Sequence, residues 1–125
     1  MTNRLAQREI ALALVAGRSD SSAAIPKPVG SWYTALAGIR APGGLGSTTA
    51  CGQLLKPDTN GISHPVLPCG AKVFVSYGGR TVLTQVIDRG PYVPGRVIDL
   101  TDALAADLGV AGGVHEVRWA YASAP

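Results

Sequence analysis

The chain has 125 residues, with eleven basic and eight acidic side chains, a net charge of +3 and a hydrophobic fraction of 46%. This length suits a single domain with at most a short appendage. Sixteen glycines and nine prolines favour short strands and turns over a helical bundle. No cluster of Lys and Arg interleaves with aromatic residues, so nucleic-acid binding is not expected.

The N-terminal segment, residues 1–28, differs in kind from the rest. Two arginines precede a short apolar run at 10–16, and small residues follow at 21–24, which is the order of a secretory signal. Charged residues interrupt that order, so a short amphipathic helix or the remainder of a longer upstream region stays open as an alternative. The apolar run is too short to span a bilayer. We therefore predict a signal-like or linker segment at 1–28 and a folded domain at 29–125.

The folded part reads as strands and turns, followed by one helix and a last strand. Two β-rich runs around Gly78-Gly79 predict a hairpin, and Thr101 and Gly109 are typical caps of a short helix. Residues 38–70 are rich in Gly, Pro, Ser and Thr and are predicted as loop. The predicted strands and helix are 29–34, 72–77, 80–87, 102–108 (helix) and 115–121. We expect a mainly β domain of about six strands closed into a barrel, because closure removes exposed strand edges.

The two cysteines, Cys51 and Cys69, both lie in loop sequence, 18 positions apart. They form no zinc-like spacing with the histidines, and no metal site is expected. We predict a disulfide, which for a loop of this size stabilises by about 3 kcal/mol in the chain-entropy model. The alternative is a pair of free thiols in a reducing cytosol.

The stretch 86–100 carries two acids in equivalent places. Asp88 and Asp99 each follow a pair of β-branched residues, on either side of a loop rich in Gly and Pro. Acids at strand ends beside a rigid loop are well placed to face a cleft. The alternative for Asp88 is a structural role in its own turn, which is common for Asp before Gly.

Six motifs follow one another in a fixed order. They are Ser31-Trp32-Tyr33, Thr49-Ala50-Cys51-Gly52-Gln53, His64, Leu67-Pro68-Cys69-Gly70, Asp88-Arg89-Gly90-Pro91-Tyr92 and Gly95-Arg96-Val97-Ile98-Asp99-Leu100-Thr101. In that order the set resembles the rare lipoprotein A family, whose double-psi β-barrel is shared with expansins. The resemblance covers residues 29–120, and the paired cysteines are similar to the pattern of actinobacterial secreted members. The implied fold is a six-stranded double-psi β-barrel with one short helix.

The resemblance implies a lytic transglycosylase, which cleaves peptidoglycan between N-acetylmuramic acid and N-acetylglucosamine and leaves a 1,6-anhydro product. The family's catalytic Asp falls on Asp88 and its essential His on His64. Asp88 would act as general acid and then as base. His64 would hold that geometry or help to take the hydroxyl proton, unless it only pins loop backbone. Asp99 matches the acid that expansin-like relatives keep in their polysaccharide groove.

Further substrate-binding residues are expected around these acids. Gln53 stands where the family usually has Glu, and it can bind a sugar by hydrogen bonds but cannot ionise. Tyr33 or Tyr92 is expected to line the groove, and Arg89 is also assigned to substrate binding. The two tryptophans, Trp32 and Trp119, are expected to be packed in the protein.

Peptidoglycan glycan strands are the expected partner, and no cofactor is expected. No cysteine near the start offers a lipid-anchor site, so we expect no stable membrane anchor, a secreted or cell-envelope location and a monomer. Two alternatives remain. One is a non-catalytic, expansin-like module that binds or loosens wall polysaccharide, which Gln53 favours. The other is a protein-interaction barrel such as a secreted inhibitor.

Overall fold

The computed structural model describes residues 25–39, 45–92 and 94–123. Residues 28–122 form one compact unit. The interpretation of the N-terminal segment as a signal or linker falls almost entirely on residues 1–24, which lie outside the described residues.

Six strands close into a barrel with one helix among the described residues, which confirms the predicted fold class. Neighbouring strands around the barrel follow the order β1-β5-β2-β4-β3-β6, with β1 next to β6. Strand β1 pairs in parallel with β5, and β2 pairs in parallel with β4. The elements are β1 (Pro28–Ile39), β2 (Ile62–Ser63), β3 (Lys72–Tyr77), β4 (Arg80–Asp88), β5 (Ile98–Leu100), α1 (Asp102–Leu108) and β6 (His115–Ala122).

The hairpin between β3 and β4 forms where the sequence predicted it. Gly78 and Gly79 have φ angles of 58° and 84°. A two-residue hairpin turn with both central residues at positive φ matches the twist of its strands, and glycine reaches that region without steric cost. The register then runs unbroken from Tyr77↔Arg80 to Lys72↔Gln85.

Helix α1 also begins and ends as predicted. The Thr101 hydroxyl accepts the N–H of Leu104 at 3.3 Å, and Gly109 closes the helix at φ 79°. The same hydroxyl accepts the N–H of Gly61 at 3.2 Å. The cap therefore also ties the start of the helix to the residue just before β2.

Strands β1 and β2 differ from the sequence prediction. Strand β1 has 12 residues, twice the predicted length. Strand β2 lies in a region predicted as loop, because only Ile62 and Ser63 form it and two residues carry no periodicity. Its hydrogen bonds come from β4 on one side and β5 on the other, so it is stabilised by partners that are distant in sequence.

The barrel interior is filled by aliphatic side chains from all six strands and from α1. Trp119 is 9% exposed and belongs to this cluster, as predicted. Ile87 packs elsewhere, against the backbone of Gly61. A Cβ built on Gly61 lies 2.7–2.8 Å from three Ile87 side-chain carbons, so only glycine fits there.

We expect Gly61→Ala to lower the free energy of unfolding by about 1–3 kcal/mol, since the added methyl overpacks a core isoleucine. Urea unfolding followed by circular dichroism measures the change. Gly112→Ala is the matched control, because a Cβ there meets no atom within 4 Å. Equal stability of the two variants would contradict the close packing of Gly61 on Ile87.

Candidate active site

Strand pairing brings the predicted catalytic residues together. Strand β2 lies between β4 and β5, so Ser63 pairs with Asp88 on one side and with Asp99 on the other. The N–H of His64 donates to the backbone carbonyl of Asp88 at 3.1 Å. The Cα atoms of the two acids are therefore about 10 Å apart, which is two strand spacings.

The Asp88 carboxylate is held by backbone N–H groups. Asp88 is the last residue of β4 and is 8% exposed. Oδ1 accepts the N–H of Ala50 and the N–H of Arg89, each at 2.9 Å. Two donors from different parts of the chain on one oxygen fix the position of this carboxyl group. A backbone amide from a loop 38 residues away thus completes the site.

That loop is closed by its own hydrogen bonds. Gln53 N–H donates to the Thr49 hydroxyl at 3.1 Å, and Thr49 N–H donates to the Gln53 carbonyl at 2.7 Å. Cys51 within it is bonded to Cys69, with an S–S distance of 2.08 Å. The predicted disulfide is therefore present, and it joins the loop that holds Asp88 to the loop that follows His64.

His64 has a defined tautomer. Its Nδ1 accepts the N–H groups of Val66 and Leu67, both at 3.1 Å. A nitrogen that accepts two hydrogen bonds carries no proton, so the neutral ring carries its proton on Nε2. One guanidinium nitrogen of Arg89 donates to the carbonyls of His64 (3.2 Å) and Leu67 (2.7 Å). The imidazole and Arg89 together hold the turn 64–67.

Burial of the imidazole, and secondarily the positive charge of Arg89, lower the pKa of His64 below its ordinary value of 6.5. The two N–H groups on Nδ1 act in the same direction, since protonation of that nitrogen breaks both bonds. His64 is therefore neutral at pH 7 and offers an Nε2–H donor rather than a free basic nitrogen.

Asp99 lies on β5, one strand beyond β2, and its carboxylate forms an ion pair with Arg96. It occupies the opposite face of β5 from the core residues Ile98 and Leu100. There Oδ2 accepts from Arg96 at 3.0 Å, and both side chains pack on Gly38. Oδ1 of Asp99 and Nε of Arg96 are buried without a hydrogen-bond partner. The carboxylate is 10% exposed and the guanidinium side chain 33%, so Arg96 is the exposed member of the pair.

The other predicted binding residues lie in different surroundings. Gln53 has its Oε1 buried without a hydrogen-bond partner. Tyr92 is 75% exposed in the loop after β4, and Tyr33 is 44% exposed on β1. Trp32 is half-buried, with the Arg118 guanidinium carbon 5.6 Å from its ring centroid.

Trp119 and Tyr121 are neighbours of the site that the sequence analysis did not assign to it. The Trp119 ring centroid lies 6.2 Å from that of His64, 4.8 Å from that of Tyr33 and 5.1 Å from that of Tyr121. The alternation in β6 predicted a half-buried strand. Nothing in the sequence showed that this strand pairs with β1 and carries its aromatic residues to the imidazole.

Among the described residues, no group of three or more His, Cys, Asp or Glu side chains is arranged to hold a metal ion. The described part of the chain also contains no helix with the length and apolarity needed to cross a membrane.

A family model described as "Lytic transglycolase" matches residues 29–119, which include both acids, His64 and the disulfide. The chain belongs to this family. The match spans all six strands apart from the first residue of β1 and the last three of β6, so family membership rests on the barrel that carries the site.

Curated relatives support the assignment. A protein of Yersinia pestis named endolytic peptidoglycan transglycosylase RlpA is 45% identical over 67 residues, covering 52% of this chain and 19% of the relative. Probable enzymes of the same name from Nostoc and Synechocystis are 42% and 35% identical, covering 63% and 78% of this chain and 22% and 30% of theirs. The chain thus spans about a fifth to a third of the length of these relatives.

A solved structure shares the fold. Streptomyces papain inhibitor superposes with a TM-score of 0.57 at 27% identity, covering 75% of this chain and 96% of that protein. Its similarity agrees with the double-psi β-barrel assigned here.

Proposed function

We propose that this domain is a lytic transglycosylase of peptidoglycan, with Asp88 as its catalytic acid and base. The observation that carries the proposal is the pairing of Asp88 with the His64 segment across β2 and β4, with the carboxyl group anchored by two backbone N–H groups. The names of the relatives support the same reaction and substrate.

One carboxyl group is sufficient for this reaction. Protonated Asp88 gives its proton to the glycosidic oxygen as the C1–O bond breaks, and the bonding electrons leave with that oxygen. The C6 hydroxyl oxygen of the same muramic acid residue then bonds to C1, and the Asp88 carboxylate takes the hydroxyl proton. The products are a 1,6-anhydro end and a free 4-hydroxyl, and Asp88 returns to its starting state.

In this proposal His64 is a positioning residue. Its Nδ1 is occupied by two backbone donors, so it does not serve as the base. Its Nε2–H can donate to a sugar oxygen, and its ring holds the turn next to Asp88. Arg89 acts on the same turn, by bonding the two carbonyls rather than by a contact with the sugar.

We assign the groove to Tyr33, Tyr92, Gln53 and the pair Arg96–Asp99. The buried Asp99 carboxylate orients the exposed Arg96 guanidinium, which can donate to sugar hydroxyls. Asp99 would therefore bind substrate through Arg96. We place the domain at residues 29–125 and its location outside the cell or in the envelope, as a monomer, where its substrate lies and a disulfide persists.

Mass spectrometry of the soluble products from purified peptidoglycan tests the reaction. We expect fragments ending in a 1,6-anhydro sugar, lighter by one water than hydrolysis products. Products with reducing ends alone would reject the mechanism. Binding to wall without any release would favour the expansin-like alternative, in which Gln53 replaces a needed carboxylate.

The state of His64 gives the protein an expected loss of stability in acid. Between its ordinary pKa and its lowered pKa in the fold, the unfolded chain binds more protons than the folded one. The free energy of unfolding therefore falls as the pH falls below about 6.5. Urea unfolding at pH 7 and pH 5 measures this change.

The asparagine substitution His64→Asn should flatten that dependence, because it removes the titrating ring and keeps an acceptor oxygen. The matched control is His115→Asn, which removes the other histidine of the chain. An unchanged pH dependence in His64→Asn would contradict the role given to the buried ring.

A second candidate function is inhibition of a cysteine protease. It is favoured by the similarity to Streptomyces papain inhibitor, which this chain covers almost completely. Titration of papain with the purified domain separates the candidates. We expect no inhibition at a molar excess of the domain, whereas stoichiometric inhibition without release from peptidoglycan would favour the inhibitor.

A further inference from the structure

We infer that Tyr33, Trp119 and Tyr121, called here the mouth cluster, form a stacking subsite for a second sugar ring of the glycan strand, next to the Asp88–His64 site. The inference rests on the proposed function, because it assumes that the strand passes His64. It adds two residues of β6 to the binding surface. It also states where the glycan strand runs after the bond that is cleaved.

Strand geometry places the cluster at one end of the barrel, near the start of β3 and the end of β6. Trp119 and Tyr121 lie two residues apart on β6, so both belong to the inward face. Trp119 is packed in the core cluster, whereas Tyr121 is 40% exposed, so the inward face reaches solvent between these two positions. Tyr33 lies opposite Trp119 on β1 and is 44% exposed.

Contact with His64 makes this end continuous with the catalytic site. The Trp119 and His64 rings meet edge to face at an interplanar angle of 70°, with centroids 6.2 Å apart. The same Trp119 ring contacts both tyrosines, at 4.8 Å and 5.1 Å between centroids. A ligand that binds over His64 and extends past it would therefore contact the mouth cluster next.

The chemistry of the cluster suits a neutral, amphipathic ring. It contains no charged side chain, and its two exposed members are phenols whose hydroxyls make no hydrogen bond within the described residues. The Tyr33 and Tyr121 rings are nearly perpendicular, at 83° with centroids 6.3 Å apart. A pyranose can lay its C–H face on one ring, touch the edge of the other and bond a hydroxyl to a phenol.

The fluorescence of Trp119 can report directly whether a sugar occupies the mouth cluster. The chain has two tryptophans, so Trp32→Phe leaves Trp119 as the single tryptophan, in contact with the cluster. In an Asp88→Asn background, which prevents cleavage, we expect hexameric N-acetylglucosamine to change its fluorescence saturably. Tyr121→Ala should weaken that binding about tenfold, the loss of one aromatic contact.

Leu36→Ala is the matched control, because Leu36 is 44% exposed like Tyr33 but faces the other side of β1. It should leave the affinity unchanged. Tyr121→Leu is expected to keep an apolar contact on Trp119 and so to preserve the fold, and it should lose as much affinity as Tyr121→Ala. Unchanged affinity in both Tyr121 variants would overturn the inference.

Two further outcomes are distinguishable. If the emission wavelength of Trp119 shifts with protein concentration in the absence of sugar, a second copy of the chain covers the cluster. That result would also overturn the inference. If the oligomer binds through Tyr121 but the wild-type protein releases no anhydro fragments from peptidoglycan, the proposed reaction fails and the stacking subsite stands.

Discussion

Asp88→Asn is expected to lower kcat for release of anhydro fragments at least about a hundredfold, because general acid–base transfer typically contributes a factor of that size or more. The asparagine carbonyl oxygen can still accept the N–H groups of Ala50 and Arg89, which now hold Oδ1. The anchor of the side chain is therefore kept while the proton that the reaction needs is lost. Substrate affinity should change little, since the missing interaction belongs to the transition state.

Product mass spectrometry and sedimentation with purified wall measure the two effects separately. Asp58→Asn is the matched control, since it makes the same substitution at an exposed acid in a turn. Thermal unfolding should be the same for the wild type and the control. Undiminished release by Asp88→Asn would mean that another group delivers the proton, and the proposed mechanism would be wrong.

Local signals predicted most of the fold. The glycine pair of the β3–β4 turn, the Thr101 cap and the Gly109 stop each encode a conformation within a few residues, and the structure has each where it was predicted. Strand β2 has no local signal, because it consists of two residues that acquire partners only after the chain has closed the barrel. Parallel pairing with β4 could not be read from the sequence for the same reason.

The sequence named the residues proposed for the candidate site but not the contacts that they make. The motif order pointed to Asp88, His64 and Asp99. It did not show that the Asp99 carboxylate forms an ion pair with Arg96. Nor did it show that Arg89 donates to backbone carbonyls of the turn 64–67. Those directions depend on packing, such as the space over Gly38 that the Arg96–Asp99 pair fills. Side-chain direction at a barrel end is set by distant strands rather than by neighbours in sequence.

The disulfide should contribute to both stability and catalysis. Removing it in the double variant Cys51→Ser/Cys69→Ser is expected to lower the free energy of unfolding by about 3 kcal/mol, from the restored freedom of the unfolded chain. The catalytic effect has a different cause. Cys51 follows Ala50, whose N–H anchors the Asp88 carboxyl, and Cys69 follows the turn that His64 holds.

Loosening the two loops should weaken the bond from Ala50 to Asp88 and lower kcat about tenfold, the scale of one hydrogen bond to a charged group. Anhydro-product formation below the melting temperature measures this loss, and calorimetry measures the stability. Treating the wild type with a reductant should reproduce both effects, whereas the double variant should not respond to it. A variant that is less stable yet fully active would show that the Ala50 loop keeps its position through its own hydrogen bonds, with Thr49 and Gln53 sufficient to hold it. In that case the disulfide would stabilise the barrel without positioning the acid.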